Sequence, residues 1–332
     1  MHAIKLKNLT KNFNGTPAVD NISFDVEPGE LFGLLGPNGA GKTTTIKMLS
    51  TLLEPTSGYA EVAGFNVLKR KDDVRKSIGI VFQDPALDIK LTGKENLNFH
   101  SMMYGMDKKI RGERIKEVLE LVELKDRADI LVENYSGGMK RRLEMARGLI
   151  HRPDVLFLDE PTLGLDAQTR RRIWEYIRKM NKEDGITIIL TTHYMEEADY
   201  LCDRVAIIDF GKIVALDTPS KLKDVLGGDV VSLKIEGKNN TEILMKYLKG
   251  LNWIKTMKKH DSTLDLTMEK GDEKIPELIK IACENKININ SVNLRKPSLE
   301  DVFLHFTGKT IREQEAGRNE AGRSMMRRRM RK

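Results

Sequence analysis

Up to about Gly228, the hydrophobic and polar positions of the chain follow two alternating patterns. Short runs rich in apolar and β-branched residues are separated by longer amphipathic stretches, an order typical of strands flanked by helices. Asn14-Gly15 and Pro28-Gly29 mark turns near the start. The pattern predicts a doubly wound α/β sheet, with strands at Ile4–Leu6, Ile22–Val26, Glu30–Leu35, Tyr59–Val62, Ile78–Phe82, Val155–Leu158, Thr187–Thr191, Val205–Ile208 and Ile213–Leu216.

A helical insert is predicted at about residues 88–150, inside this α/β pattern. Apolar residues recur there at the spacing of one helix face. We expect an amphipathic helix that buries this stripe, which consists of Ile115, Val118, Leu119 and Val122.

A second domain is predicted after Gly227-Gly228, where the pattern changes to strand, helix, strand, strand, helix, strand. This order suggests a small ferredoxin-like fold. Ser298 and Asp301 form a potential capping box at the start of a last helix. The predicted domains are residues 1–228, residues 229–308 and a tail at residues 309–332.

Length and composition agree with this division, since 332 residues with 40% hydrophobic content can bury a large core and a smaller one. No apolar run is long enough to cross a bilayer, and the first residues lack the pattern of a secretion signal. We therefore expect a cytoplasmic protein. Cys202 and Cys283 are far apart and outside metal-ligand spacing, so we interpret both as structural.

The net charge of +7 is concentrated in the tail after Gly308. Residues 309–332 contain nine Lys or Arg and three Glu, so the rest of the chain is nearly neutral. We predict that this basic tail is disordered. Two hypotheses remain open for it: the cluster from Arg327 to Lys332 binds anionic lipid at the cytoplasmic face, or the tail is a solvated extension without function.

A phosphate-binding loop is predicted from Gly36 to Thr43, which match G-x-x-x-x-G-K-[ST] between a strand and a helical pattern. Glycines let backbone N–H groups face phosphates, and a helix N-terminus adds partial positive charge. Lys42 is expected to neutralise the β- and γ-phosphates, and Thr43 to place its hydroxyl on Mg²⁺. A glycine-rich turn without ligand would not explain why strand, lysine and threonine occur together. The predicted nucleotide ligands here are Gly36, Pro37, Asn38, Gly39, Ala40, Gly41, Lys42, Thr43 and Thr44.

An acidic pair follows the apolar run Val155–Leu158. Asp159 therefore emerges at the carboxyl end of a predicted strand, where open α/β sheets bind ligands. We expect it to reach Mg²⁺ through water, and Glu160 to polarise the attacking water as general base. A surface acidic pair is the alternative for this segment alone, and the phosphate loop favours the magnesium site.

A helical stretch shortly before Asp159 opens with Tyr135-Ser136-Gly137-Gly138-Met139-Lys140-Arg141-Arg142, which resembles the signature of ATP-binding cassette (ABC) proteins. The resemblance implies a P-loop NTPase core with an antiparallel β subdomain and a helical insert, followed by the α+β domain. It also implies a head-to-tail, nucleotide-sandwich homodimer that binds ATP and Mg²⁺. Ser136, Gly137 and Gly138 would then hold the γ-phosphate of the ATP on the partner subunit's phosphate loop.

Four further residues resemble family positions in the same order along the chain. The resemblance implies that Gln83 senses Mg²⁺ and the attacking water, and that Asp166 belongs to a loop that reaches across the dimer. His193 would contact the γ-phosphate and steady Glu160. Phe13 would stack on adenine, although an aromatic residue there is equally consistent with a core position. The predicted catalytic residues are Lys42, Gln83, Glu160 and His193, and the predicted metal ligands are Thr43, Gln83 and Asp159.

Some residues depart from the commonest family pattern. Tyr135 stands in place of leucine, and Met139 in place of a glutamine that hydrogen-bonds. Because no phosphate or magnesium ligand is replaced, we expect a competent site.

The ending from Pro297 to Gly308 resembles that of daunorubicin-resistance-type export ATPases. The resemblance implies an ATPase, peripheral on the inner face of the cell membrane, that drives a separate transmembrane permease to export drugs or other hydrophobic compounds, and so confers antibiotic resistance. By analogy, the helical insert would receive the permease's coupling helix.

A rival hypothesis is a soluble ABC-type ATPase that regulates a nucleic-acid process. The basic tail is its only support, and the chain lacks the second cassette or long coiled coil usual in such relatives. We therefore expect no nucleic-acid partner.

Overall fold

The computed structural model describes residues 2–84, 86–237 and 240–308. These residues form two compact units, one ending at Thr218 and the other beginning at Pro219. The predicted boundary at Gly228 falls within the second unit, in which a short helix, Pro219–Asp224, packs against the last helix, Leu299–Thr307. The predicted basic, disordered tail lies outside the described residues.

The strands of the first unit form two sheets. In chain order its strands are β1 (Ile4–Phe13), β2 (Thr16–Val26), β3 (Leu31–Leu35), β4 (Ser57–Val62), β5 (Phe65–Asn66), β6 (Ile78–Val81), β7 (Val155–Asp159), β8 (Thr187–Thr192), β9 (Arg204–Asp209) and β10 (Lys212–Asp217). An antiparallel sheet has the order β2-β1-β4-β5. The other sheet has the order β10-β9-β3-β8-β7-β6, and it is parallel except at β10. The carboxyl ends of β3, β6, β7 and β8 therefore share one edge.

β1 and β2 are longer than the sequence predicts, because bulges interrupt the period-two alternation. Asn8 and Asn21 have positive φ angles of 51° and 54°, and the pairing register shifts between Leu6 and Leu9. The Asn8 N–H donates to Ser23 Oγ at 2.8 Å, so the displaced backbone keeps a hydrogen bond. The predicted strand Ile4–Leu6 is thus only the first part of β1.

Seven α-helices of the described chain belong to the first unit: α1 (Lys42–Leu49), α2 (Lys71–Ser77), α3 (Gly93–Met103), α4 (Lys108–Leu121), α5 (Gly137–Leu149), α6 (Ala167–Asp184) and α7 (Met195–Leu201). α3 begins with a capping box formed by Thr92 and Glu95. The apolar stripe predicted for the insert is buried on and directly after α4. None of the helices in the described ranges is both long and apolar enough to span a membrane.

One hydrophobic core joins α1 to both sheets of the first unit. Ile46, Met48 and Leu49 of α1 are fully buried in it, and Phe24 of β2 stacks on Phe32 of β3 with ring centroids 4.9 Å apart. Each such side chain contributes about 1.5–3 kcal/mol through burial. The segment that precedes α1 is therefore attached to a rigid helix.

The second unit has the predicted ferredoxin-like order, which the fold confirms. Its elements are α8 (Pro219–Asp224), β11 (Asp229–Ile235), α9 (Asn240–Leu248), β12 (Ile254–His260), β13 (Thr263–Met268), α10 (Gly271–Glu284), β14 (Ile289–Arg295) and α11 (Leu299–Thr307). The strands form an antiparallel sheet of order β12-β13-β11-β14. α11 begins with the predicted capping box, in which Ser298 Oγ accepts from the Asp301 N–H and the Asp301 carboxylate accepts from the Ser298 N–H.

Candidate active site

The phosphate loop, residues 36–43, leaves β3 at the shared edge of the parallel strands and enters α1. The Gly36 N–H donates to Thr192 O at 3.2 Å, and a Cβ on Gly36 would lie 2.2 Å from Ile208 O. Gly41 has a φ of 110°, and a Cβ there would lie 2.6 Å from Ala18 O. Both positions exclude a side chain, so glycine is required for the loop to pack against β8 and β9 at Gly36 and against β2 at Gly41.

Lys42 is the first residue of α1 and is only 4% exposed. Its Nζ donates to Gly36 O at 2.7 Å and to Pro37 O at 3.2 Å, so the side chain folds over the loop. The same nitrogen lies 3.2 Å from Glu160 Oε1. One ammonium group therefore links the phosphate loop to the predicted general base. Elsewhere in the loop and just after it, Asn38 and Gly39 are exposed, Ala40 is buried, and Thr43 and Thr44 are half-buried.

Thr43 and Asp159 bring a hydroxyl and a carboxylate together at the end of β7. Thr43 Oγ1 donates to Asp159 Oδ1 at 3.1 Å, and Thr191 Oγ1 donates to the same carboxylate oxygen. Asp159 is 2% exposed. Hydroxyl and carboxylate oxygens are the ligands that Mg²⁺ prefers, so this pair fits the predicted metal.

Glu160 follows Asp159, and its carboxylate lies between the imidazole of His193 and the ammonium group of Lys42. His193 Nδ1 is 3.3 Å from Glu160 Oε1, on the carboxylate oxygen that also faces Lys42. Burial raises the pKa of Glu160, but the hydrogen bond with His193 and the charge of Lys42 lower it, and overall the pKa falls below its usual value. Glu160 is therefore a carboxylate at neutral pH.

The predicted signature segment forms the start of α5. Ser136 is the N-cap of this helix, and its Oγ accepts from the Met139 N–H at 3.3 Å. A Cβ on Gly138 would lie 2.6 Å from Thr169 Cγ2, and the Thr169 N–H donates to Asp166 Oδ1 at 2.9 Å. Gly137 begins the helix and has more room, since its Cβ would meet a side chain only at 3.7 Å. The signature glycines and the N-cap of α6 are thus neighbours within one chain.

Two predicted site residues lie on the surface, and one unusual residue lies inside. Phe13, at the end of β1, is 46% exposed, so the alternative that it belongs to the core is wrong. Gln83 is exposed just beyond the end of β6. Tyr135, in place of the usual leucine, is buried and donates from its hydroxyl to Arg127 O at 2.6 Å.

Three buried polar residues around the site were not predicted from the sequence. Thr191 donates to Asp159, as described above. Glu197 accepts from Thr162 Oγ1 and Trp174 Nε1, both at 2.8 Å. Arg141 donates to backbone carbonyls of residues 159–161. Arg141 forms an ion pair with Glu144 at 3.0 Å, three residues further along the helix. This spacing of opposite charges was the one feature of the sequence that could have indicated a role for Arg141.

Two models of known protein families match the chain, one in each of its two parts. A family model described as ABC transporter matches residues 19–163. A second model, described as ATP-binding protein DrrA1-3-like, C-terminal domain, matches residues 218–307.

Two bacterial proteins are similar to the chain over nearly its whole length. The linearmycin resistance ATP-binding protein LnrL of Bacillus subtilis (strain 168) is 40% identical over 313 residues, which cover 93% of this chain and 100% of that protein. The daunorubicin/doxorubicin resistance ATP-binding protein DrrA of Streptomyces peucetius is 38% identical over 307 residues, or 92% of each chain.

A solved structure is similar in fold to about two thirds of the chain. The dimeric ATP-binding cassette MJ0796, in a post-hydrolysis state bound to ADP and Pi, is 29% identical with a TM-score of 0.58. The match covers 65% of this chain and 98% of that one.

Proposed function

The chain belongs to the ABC transporter family, among its daunorubicin-resistance-type ATP-binding proteins, and we propose that it hydrolyses ATP to drive drug export through a separate membrane permease. One observation carries the proposal: the phosphate loop, Asp159, Glu160 and His193 meet at one edge of the parallel sheet. The signature segment lies in the same chain, at the start of α5.

ATP binds at the phosphate loop. Its phosphates are held by backbone N–H groups of residues 36–43 at the N-terminus of α1 and by the ammonium group of Lys42. Phe13 stacks on the adenine, for which its large exposed area is suited.

Mg²⁺ accompanies the nucleotide, and Thr43, Asp159 and Gln83 are the residues that would hold it. The hydroxyl of Thr43 and the carboxylate of Asp159 are within 3.1 Å of each other, so they offer two hard oxygen ligands side by side. When bound, the ion neutralises negative charge on the β- and γ-phosphates.

Hydrolysis breaks the bond between the γ-phosphorus and the oxygen that bridges it to the β-phosphate. Glu160 accepts the proton of the water whose oxygen attacks the γ-phosphorus, and the products are ADP and phosphate. The lowered pKa of Glu160 keeps it ionised for this step. His193 orients the carboxylate through its Nδ1 and contacts the γ-phosphate, and Gln83 positions the water.

A second copy of the chain completes each site. Ser136 and the backbone of Gly137 and Gly138 hold the γ-phosphate on the partner subunit's loop, since the N-terminus of α5 favours an anion. The loop with Asp166 lies across the same interface. Support comes from the signature segment and from the similar cassette MJ0796, which is a dimer bound to ADP and Pi.

The exported compounds are drugs or other hydrophobic molecules. Support comes from the two similar proteins, which are ATP-binding proteins of linearmycin resistance and of daunorubicin and doxorubicin resistance. The chain works at the inner face of the cell membrane, where the helical insert contacts the permease. Isolation of the membrane protein that co-purifies with this chain from detergent extracts identifies that permease.

The substitution Glu160→Gln tests the hydrolytic role. We expect ATP affinity to be unchanged and turnover to fall by about 100-fold or more, because a general base contributes about 10²–10⁴-fold. Since ATP is no longer consumed, a dimer should accumulate with ATP and be visible by size-exclusion chromatography. The control is Glu183→Gln, on the exposed face of α6, which should leave both properties unchanged.

A further substitution tests the shared site. Adding Ser136→Arg to the Glu160→Gln variant places a bulky cation where the γ-phosphate would dock, and it should abolish the ATP-dependent dimer while each chain still binds ATP. Undiminished hydrolysis by Glu160→Gln removes Glu160 from its role. An unaltered dimer in the double variant contradicts the shared site.

A further inference from the structure

Glu160 has an unusual backbone conformation for a residue with a long side chain. Its φ angle is +47°, in the left-handed region, which costs about 1–2 kcal/mol for a residue other than glycine. Such a conformation persists only where the surrounding structure holds it. The Glu160 N–H is held by Thr191, whose Oγ1 and carbonyl oxygen lie 3.0 and 3.2 Å away.

The carbonyl side of this segment is held by one guanidinium group, that of Arg141. Its Nε donates to Pro161 O at 2.7 Å, and its Nη2 donates to Asp159 O at 3.1 Å and Glu160 O at 3.3 Å. Arg141 is 7% exposed, and Glu144 balances its charge at 3.0 Å. Only the planar, forked guanidinium offers donors in enough directions for this set of acceptors.

The same side chain also contacts the loop that carries Gln83. Arg141 Nη1 donates to Phe82 O at 2.6 Å. Its neighbours on α5 hold that loop further along, where Glu144 Oε1 accepts from the Ala86 N–H at 2.7 Å and Arg147 Nη1 donates to Ala86 O at 2.6 Å. α5 therefore binds the backbone beside two of the predicted catalytic residues.

Arg141 lies close to the end of α5 that carries the signature. It is five residues after the N-cap Ser136, which is about 7–8 Å along a helix axis. A small displacement of this helix end would be transmitted to Arg141, because a single helix turn is rigid.

We propose that Arg141 is a positioning residue for hydrolysis, which holds the backbone of residues 159–161 so that Glu160 points at the attacking water. Through α5 it joins the Glu160 of one subunit to the signature segment that contacts the partner's ATP. This inference rests on the proposed function, in which Ser136 and Glu160 serve the two different sites of one dimer. ATP bound by the partner thereby sets the orientation of the general base in this subunit.

Arg141→Gln is the first test. The variant loses most of the donors to residues 159–161, and the kcat for ATP should fall by about 10- to 100-fold, since a misplacement of about 1 Å has this effect on rate. KM should change by less than about threefold, because no contact to the phosphate loop is removed. Arg114→Gln is the matched control: this half-buried arginine likewise donates to carbonyls, at Leu149 and Ile150, but at the other end of α5. Its kcat should equal that of the wild type.

A second measurement distinguishes a loss of the correct position of Glu160 from a disruption of the signature segment. In the Glu160→Gln background, Arg141→Gln should leave the ATP-dependent dimer and ATP affinity intact, because Arg141 acts on Glu160 and that carboxylate is already absent. Loss of the dimer in this double variant overturns the proposal. A wild-type kcat in Arg141→Gln, or an equal loss in Arg114→Gln, overturns it too. Failure of the wild-type chain to hydrolyse ATP would instead contradict the proposed function itself.

Discussion

Glu197 is a buried carboxyl group whose two oxygens have different surroundings. It lies on α7, four residues after His193, and is fully buried. Oε1 accepts from Thr162 and Trp174, whereas Oε2 accepts no hydrogen bond from the part of the chain that the structure describes. Burial raises the pKa of Glu197 above its usual value, although the hydrogen bonds act in the opposite direction. The hydrogen bonds from Thr162 and Trp174 thus require an acceptor at Oε1, but they do not require Glu197 to be ionised.

Glu197→Gln should therefore be tolerated. Because the pKa is raised in the folded state, the carboxyl group favours folding fully below pH 4.5 and loses that contribution as pH rises through the folded-state pKa. The amide keeps the acceptor and does not ionise, so the free energy of unfolding at pH 8 should be within about 1 kcal/mol of the wild-type value or higher. Its pH dependence above pH 5 should be flatter. Urea unfolding at pH 5 and pH 8 measures both.

Glu197→Leu is the matching variant, because it leaves Thr162 and Trp174 without their acceptor. It should cost about 2–6 kcal/mol at either pH, at about 1–3 kcal/mol for each of the two unsatisfied groups. If the glutamine and leucine variants lose equal stability, the carboxylate charge is needed and the interpretation of Glu197 is wrong.

At the scale of elements, α3 and the segment after α5 are joined by stacked rings. Tyr104, at the end of α3, stacks on His151 with ring centroids 3.8 Å apart, and His100 meets Tyr104 edge-on at 5.1 Å. His151 Nε2 lies 2.9 Å from Ile78 O in β6. Burial, with the charge of Arg147 beside it, lowers the pKa of His100 to about 4. Burial also lowers the pKa of His151. The attachment of α3 to the sheet thus depends on neutral imidazoles.

The neutral imidazole of His100 in this group of stacked rings should make the protein less stable in acid. Below pH 6.5 the unfolded chain protonates His100 while the folded chain does not, so stability falls as the pH drops from 6.5 to about 4. The difference in pKa sets an upper limit of about 3 kcal/mol on this loss, and solvent screening of the partly exposed ring reduces it. His100→Phe keeps a ring against Tyr104 without titrating, and the variant should lose less stability than the wild type between pH 7 and pH 5 in urea unfolding. His305→Gln, at an exposed position, is the control. Parallel losses in wild type and His100→Phe would contradict the assignment to His100.

Elements were predictable from the sequence where one period runs unbroken. β4 has nearly the predicted limits, since it runs from Ser57 to Val62 and was predicted at Tyr59–Val62. β1 does not, because the bulge at Asn8 moves later residues to the opposite face, and no local signal marks a bulge in advance. α2 and β5 were not predicted, since a seven-residue helix and a two-residue strand are too short to show a period.

Across the whole molecule, the site was predictable where function imposes fixed spacing along the chain. Lys42, Asp159, Glu160 and His193 were placed by motif, and the fold brings them together from α1, β7 and the segment after β8. Arg141 was not predictable, because an arginine on an amphipathic helix is ordinarily exposed. Its role depends on which backbone carbonyls the tertiary fold places around it.

The charge of the whole chain leads to a prediction that separates the transport hypothesis from its nucleic-acid rival. Residues 309–332 carry nine basic and three acidic residues, so most of the net charge of +7 is removed by truncation after Gly308. Binding to DNA, RNA or anionic vesicles that rests on these charges should be salt-sensitive and should fall to background in the truncated chain, while kcat and KM for ATP stay unchanged. Filter binding measures the affinity for DNA and RNA, and vesicle sedimentation measures the affinity for anionic vesicles, each at low and physiological salt. Neutral vesicles are the control. Salt-sensitive nucleic-acid binding that survives truncation would support the rival, because the remaining chain is nearly neutral overall and would need a specific basic surface to achieve it.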